Sequence, residues 1–219
     1  MTSTKTSKEA IPLNYFTPKA YIQSDASSGL LSTRQGKRLI AVPAILLNSI
    51  QTTLLSEAGE AASMAFYTFG SGWGKSFYER THQEIEAYYQ VPISQMNATE
   101  YFATLQELWG VHGLGKIKVD FSYAKLGLLL ITIENSGISK ITTEVNSKSF
   151  SLEAGLLSGW FSTQCYQDLT AQATDWHEQT DQTQYLIGAR TQIEVIAEQA
   201  IAKGIKTSEI LTNILQSDT

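Results

Sequence analysis

Residues 108–134, LWGVHGLGKIKVDFSYAKLGLLLITIE, change their pattern partway along, and that change decides the fold class. Leu108 closes a stretch, residues 99–110, in which Tyr101, Phe102, Leu105 and Leu108 recur at helical spacing. Asn97 stands just before it, a residue type whose side chain accepts from the free N–H groups of a helix start. Glycines 110, 113 and 115 then stop the helix. Beyond them Ile117, Val119 and Phe121 alternate with polar residues, and after a short link at 122–125 an apolar run continues from Leu126 to Glu134. A period of two followed by a second strand reads as an antiparallel hairpin. Helix and hairpin together predict an α+β fold.

Upstream, Pro43 suits the first position of a helix over 43–55, where Ile45, Leu46, Ile50 and Leu54 recur at helical spacing. A second helix is expected over 57–89, with Ala58, Ala61, Ala62, Ala65, Phe66, Phe69 and Phe77 on its apolar face. Gly70, Gly72 and Gly74 inside it each cost about 1 kcal/mol relative to Ala, so something should need their missing side chains. Close packing against another helix is one reading; a ligand lying against the glycines is the other. Downstream, a polar stretch at 135–148 precedes a helix at 152–165 that turns Leu156, Leu157, Trp160 and Phe161 inward. Segments 169–176 and 184–190 read as a second hairpin, giving a sheet of about four strands packed against a layer of long helices. Two more helices follow at 191–203 and 207–216. The expected organisation is a partly extended N-terminal arm (1–35), a central domain (36–190) and a helical extension (191–219). Tyr15, Phe16 and Tyr21 give the arm a means of docking onto a neighbour.

The composition, 42% apolar and 17% charged over 219 residues, provides for one sizeable core. A net charge of -5 without a Lys/Arg cluster argues against a nucleic-acid partner. The single cysteine, Cys165, excludes an intrachain disulfide and a zinc site of several thiolates, and fits a reducing, cytoplasmic compartment. No apolar run approaches the roughly 20 residues of a membrane span.

The residues that carry chemistry elsewhere are sparse or scattered. His82, His112 and His177 fall in separate elements, and no pair has a metal or acid–base spacing. The sequence GSGWG at 70–74 lacks the preceding strand and the Gly-Lys-Ser/Thr ending of a phosphate loop. No nucleophile elbow or carboxylate pair is visible, so no catalytic residue is assigned. Cys165, near the end of an apolar helix, reads as a buried small hydrophobe or as an attachment point for a ligand. The aromatic residues point further: Phe69, Trp73, Phe77, Tyr101, Trp109, Trp160 and Phe161, with Tyr67 beside them, fall on elements that should enclose the interior. They are either core packing or, with Cys165, the lining of an apolar pocket for a large, flat or hydrophobic molecule.

Four stretches, in order, resemble the 4-vinyl reductase domain family, whose fold is shared with subunits of the TRAPP vesicle-tethering complex. They are Glu57-Ala58-Gly59-Glu60 with Tyr67-Thr68-Phe69-Gly70 and Gly74-Lys75, then LWGVHGLGKI at 108–117, then Ile133-Glu134-Asn135-Ser136, then EAGLLSGW at 153–160. The resemblance spans residues 40–190. It implies the four-stranded α+β architecture and a site for a hydrophobic small molecule. Many members bind zinc through a Cys before the last helix and a Glu-x-x-Cys and further Cys on the final hairpin. Those positions fall at Phe150, Ala173, Trp176 and Gln184, so zinc is expected to be absent, with Phe150 and Trp176 packing together in its place.

From the resemblance, the expected function is a non-catalytic binding or carrier protein. Its ligand would be a tetrapyrrole of the chlorophyll pathway, used in pigment synthesis or photosystem assembly, as in stand-alone cyanobacterial members, with a place at the periphery of a photosynthetic membrane. A homodimeric adaptor that pairs through the two long helices without a ligand is the alternative from a different class. A vinyl reductase served by a separate electron donor is the third.

Overall fold

The structure is a computed structural model describing residues 15–90, 92–138 and 150–217. In chain order it contains a helical turn α1 (Pro18–Tyr21), strands β1 (Ile22–Asp25), β2 (Leu30–Thr33) and β3 (Arg38–Leu39), and helices α2 (Ala44–Ala58), α3 (Ala61–Tyr89) and α4 (Ala98–Val111). Hairpin β4 (Lys116–Asp120) and β5 (Leu129–Glu134) follows, then α5 (Ser151–Cys165), hairpin β6 (Thr170–His177) and β7 (Gln182–Gly188), and helices α6 (Arg190–Lys203) and α7 (Thr207–Ser217).

The two expected hairpins form one antiparallel sheet in the order β4-β5-β7-β6. Alternation along its strands sends Ile117, Ile131, Ile133, Ala171, Tyr185 and Ile187 to one face, against α3, α4 and α5. Leu128 and Leu186 go to the other face, against Ile193 and Ile196 of α6 and Ile210 and Leu211 of α7. The helical extension is thus a third layer that covers the outer face of the sheet. Asn97 caps α4 as its position predicts: its Oδ1 accepts from Glu100 N at 2.9 Å, while Glu100 Oε2 accepts from Asn97 N at 3.0 Å.

Helix α5 is the centre of the domain. Every residue from Leu152 to Phe161 is buried, because α3 covers one side of the helix and the sheet the other. The contact with α3 is made backbone to backbone. A Cβ on Gly70 would lie 2.3 Å from Leu152 O, and one on Gly74 2.1 Å from Leu156 O. Reciprocally, Cβ atoms on Gly155 and Gly159 would lie 2.2 Å from Tyr67 O and 2.0 Å from Ser71 O. Of the two readings of the helix glycines, close helix packing holds for Gly70 and Gly74. Gly72 has nothing within 4 Å and plays no part in it.

Two expectations need correction, and the spacing in α2 acquires a direction. The second long helix starts at Ala61 instead of residue 57, because Gly59, at φ 56°, turns the chain between α2 and α3. Ile45, Leu46 and Ile50 recur at helical spacing but are exposed; the buried residue of α2 is Gln51. The segment read as a partly extended arm is folded over its described part: β1, β2 and β3 make a three-stranded antiparallel sheet, and Tyr15, Phe16 and Tyr21, the residues given a docking role, are buried in the main core of their own chain. The Tyr21 hydroxyl donates to Glu84 Oε2 at 2.9 Å, and Gln35 donates to the Glu84 carbonyl at 3.2 Å. Residues 1–14 of that segment, and most of the polar stretch at 135–148, lie outside the described residues.

Candidate functional site

The aromatic residues expected to line an internal pocket are brought together in part. Phe77 meets Trp160 at a ring separation of 5.2 Å and Trp109 at 6.0 Å, Trp109 meets Trp160 at 5.5 Å, and Trp73 stands 6.5 Å from Phe77. These are edge-on and tilted contacts, the geometry favoured by ring quadrupoles. Trp160 Nε1 donates to the Tyr101 hydroxyl at 2.9 Å, which donates to Gln164 at 2.6 Å, so both polar tips are satisfied inside the core. Phe161 is fully buried in the same core. The space these rings leave, a cavity between α3 and α4 lined by Tyr78, Thr81, Tyr101, Leu105 and Trp160, measures about 10 Å³, room for a single water. Two of the expected lining residues are not there at all. Phe69 is 64% exposed on the outer side of α3, and Cys165, at the last turn of α5, is exposed rather than a buried hydrophobe.

The roomy concavity lies elsewhere. A groove of about 410 Å³ runs between the C-terminal end of α2, the start of α3, the start of α5 and strand β6. Leu55, Tyr67, Phe150 and Ala154 form its apolar walls, and Ser63 and Ser151 add two hydroxyls. Its floor is Thr170-Ala171-Gln172-Ala173, four consecutive residues, which means that the groove faces the edge of the strand. β6 is an outer strand of the sheet, and its Ala171 N–H donates to the Tyr67 hydroxyl at 3.2 Å instead of to another strand. Small side chains at 171 and 173 keep the floor low. Among the described residues, no charged one lines it.

Behind the Phe150 wall stands a polar group that sequence reasoning missed. Glu153, in the first turn of α5, is fully buried. Its Oε1 accepts from Ser136 Oγ at 2.6 Å and its Oε2 from the Tyr185 hydroxyl at 2.5 Å. Burial pushes its carboxyl up to about 7, against the two hydrogen bonds, which pull it down. Tyr185 is raised well above its ordinary range by burial and by the neighbouring carboxylate, and so stays a donor. The Tyr185 ring lies 6.5 Å from that of Phe150, and Tyr185 pairs across the sheet with the groove residue Ala173. The only sequence hints were Asn-Ser at 135–136 and Glu153 itself, quoted for their resemblance and assigned no role.

The corner where relatives of the resembled family place zinc is built from rings: Phe150 and Trp176 lie 6.5 Å apart. A register shift between Ala173 and Asp175 breaks the regular pairing of β6 with β7 there. Phe150 and Ala173, two of the four ligand-equivalent positions, line the groove. Their carbon side chains offer no donor, so these residues do not fit a zinc ion. Among the described residues no three His, Cys, Asp or Glu side chains come together.

The histidines have structural partners where they are not exposed. His82 contacts Glu86 at 2.8 Å. His112 bridges Leu108 O, at 2.9 Å from Nδ1, and Arg80, at 3.2 Å from Nε2. Burial first, and Arg80 as a lesser cause, hold its imidazole down at about 4, against the pull of the Leu108 hydrogen bond. It is therefore neutral, accepting from Arg80 and donating to Leu108. Among the described residues no helix is long and apolar enough to cross a membrane.

No family model matches the chain, and no curated protein matches it. Solved structures do. A vinyl-4-reductase family protein from Methanocaldococcus jannaschii is 13% identical, covering 68% of this chain and 82% of its own, with a TM-score of 0.44. Trafficking protein particle complex subunit 3 from Naegleria fowleri, covalently bound to palmitic acid, is 10% identical over 66% of this chain and 91% of its own, with a TM-score of 0.49. The phenol-responsive sensory domain of the transcription activator PoxR, solved with phenol, is 14% identical over 77% of this chain and 84% of its own, with a TM-score of 0.57. That last likeness establishes a shared α+β fold between this chain and the PoxR sensory domain.

Proposed function

We propose that the chain is a non-catalytic binding protein for a hydrophobic small molecule, held in the groove between α2, α3, α5 and β6. The observation that carries this reading is the groove itself: about 410 Å³, apolar walls, no lining charge among the described residues, and a buried Glu153–Tyr185 pair behind one wall. A concavity of that size with few polar groups and a perturbed titratable group behind it is the usual anatomy of a ligand site. The PoxR sensory domain, whose fold it shares, was solved with phenol, which accords with a ligand-holding role. The resemblance to the 4-vinyl reductase family makes a tetrapyrrole of the chlorophyll pathway the specific ligand to try. A flat macrocycle would lie against Tyr67 and Phe150, with its polar edge toward solvent.

The test is an absorbance titration of the purified chain with protochlorophyllide, repeated on Ala173→Trp, which fills the groove floor. The expected result is a saturable spectral shift in the natural protein that is lost in the variant. No shift in the natural protein overturns the tetrapyrrole. An equal shift in Ala173→Trp overturns the groove as the site.

A further inference from the structure

The Tyr67 ring forms one wall of the groove, and its hydroxyl ends at the groove floor, where the oxygen accepts from Ala171 N at 3.2 Å. A phenol both accepts and donates. Accepting one bond polarises the O–H and strengthens it as a donor. Ser63 stands one helical turn earlier on the same face of α3 and lines the groove as well. Neither hydroxyl has an acceptor for its proton among the described residues. Around these two donors the surface is carbon: Leu55, Phe150 and Ala154 on the walls, Ala171 and Ala173 on the floor. Among the described residues no cation lines the groove, and the ionisable group behind the Phe150 wall, Glu153, is acidic. An anion drawn from water into such a place would find nothing to balance its charge.

We infer that Tyr67 sets the groove's choice of ligand: its hydroxyl, with that of Ser63, donates to the carbonyl oxygen of an uncharged apolar molecule, a ketone or an ester. A molecule whose only acceptor is an anionic group is rejected. This role rests on the groove being the ligand site. An added polypeptide strand is disfavoured there, because Tyr67 already takes the Ala171 N–H that such a strand would need. A tetrapyrrole with a ring ketone would turn that oxygen toward Tyr67 and leave an acid side chain in water.

Two naphthalene dyes test the assignment on the purified full chain. Prodan is an uncharged ketone whose emission moves to the blue on leaving water and back to the red when its carbonyl accepts a hydrogen bond. Anilinonaphthalene sulfonate is an anion with no carbonyl. For each dye, binding in the groove is the part lost in Ala173→Trp. The natural chain should bind prodan there saturably, and the sulfonate roughly tenfold more weakly. Tyr67→Phe keeps the ring and removes the donor. It should weaken prodan roughly fivefold, the worth of one hydrogen bond, and shift the emission of the bound dye to the blue. Should that variant lose structure, the carbonyl stretch of prodan bound to the natural chain decides, an alcohol-like frequency supporting the donor and an alkane-like one overturning it. Unchanged emission in a folded Tyr67→Phe, whether or not affinity falls, overturns the role of Tyr67 and leaves the groove standing. Sulfonate bound there as tightly as prodan overturns the selection against anions. Prodan that does not bind the natural chain, or binds Ala173→Trp equally, overturns the groove and the role of Tyr67 together.

Discussion

The Tyr185 hydroxyl donates to the Glu153 carboxylate across 2.5 Å in the interior, tying strand β7 to the first turn of the central helix α5. Ser136, just beyond the end of β5, donates to the other oxygen, so one buried carboxyl holds three elements together. Its carboxyl is raised from 4.5 to about 7, chiefly by burial, and this fixes the sign of a pH effect. Between those values the folded chain keeps a proton that the unfolded chain releases. Stability linked to Glu153 is therefore present below pH 4.5, declines as pH rises through the window, and levels off above 7. At about 1.4 kcal/mol per pH unit the window holds on the order of 3 kcal/mol. The difference in melting temperature between the natural protein and Glu153→Gln should fall steadily over that range. Parallel curves for the two proteins would remove Glu153 from the account.

The glycine interlock between α3 and α5 makes a prediction of opposite signs within one helix. Gly72→Ala meets nothing and gains helix propensity, so it should stabilise the fold by up to about 1 kcal/mol. Gly74→Ala drives a methyl into the Leu156 carbonyl, and Gly159→Ala does the same at Ser71. Overpacking of this kind costs roughly 1–3 kcal/mol, more where backbone must move. Urea denaturation of the three variants reads the order directly. A Gly74→Ala protein as stable as Gly72→Ala would show that the helices separate without cost.

The N-terminal module of β1, β2 and β3 is held to the domain by few anchors. Tyr21 packs on Phe16 at 4.9 Å and on His112 at 5.5 Å, and its hydroxyl reaches the buried Glu84. Arg34 stacks over Tyr88 at 4.5 Å. Removing a buried aromatic side chain costs on the order of 3–5 kcal/mol, and the strands have little apolar burial of their own to offset it. Tyr21→Ala should therefore release the module before the rest of the chain unfolds. Limited trypsin digestion should cut after Lys37 and Arg38 at least tenfold faster than in the natural protein. Unchanged cleavage would mean that the module stands on other contacts.

The helix and hairpin pattern could be read from the sequence because both faces of the sheet are covered and the strand period is clear at residues 117–121. The capping residue Asn97 and the glycines at 70 and 74 were legible for the same local reason. The first small sheet was not, because Ile22–Asp25 and Leu30–Thr33 are only four residues each and neither alternates buried with exposed positions, leaving no period to detect. In α2 the spacing was right and the direction left open, since periodicity marks a stripe without saying which partner covers it: Leu54 packs on the core while Ile45, Leu46 and Ile50 are exposed. Of the two readings of the interior aromatics, lining of a pocket or core packing, the rings that come together pack as core and leave about 10 Å³ between them. The groove escaped notice because small residues at an edge strand carry no motif. Glu153 escaped because a Glu in the first turn of a helix ordinarily faces solvent beside the helix N-terminus.

His112 sets up a second proton linkage that opposes the first. Its imidazole drops from 6.5 to about 4 on folding, chiefly through burial, so the folded chain holds fewer protons than the unfolded one between those values. Stability linked to His112 is fully present above pH 6.5 and is lost as pH falls toward 4, the reverse of the Glu153 effect. The two windows overlap from pH 4.5 to 6.5, and their magnitudes are similar, on the order of 3 kcal/mol each. The natural protein should accordingly show a nearly flat melting temperature there, concealing two steep contributions. Glu153→Gln should uncover a rise in stability with pH, and His112→Gln a fall. The double variant should be flat again, this time because neither group titrates. Thermal melts of the four proteins at half-unit pH steps decide the matter, and a single variant as flat as the natural protein would show that its residue is not the one compensating.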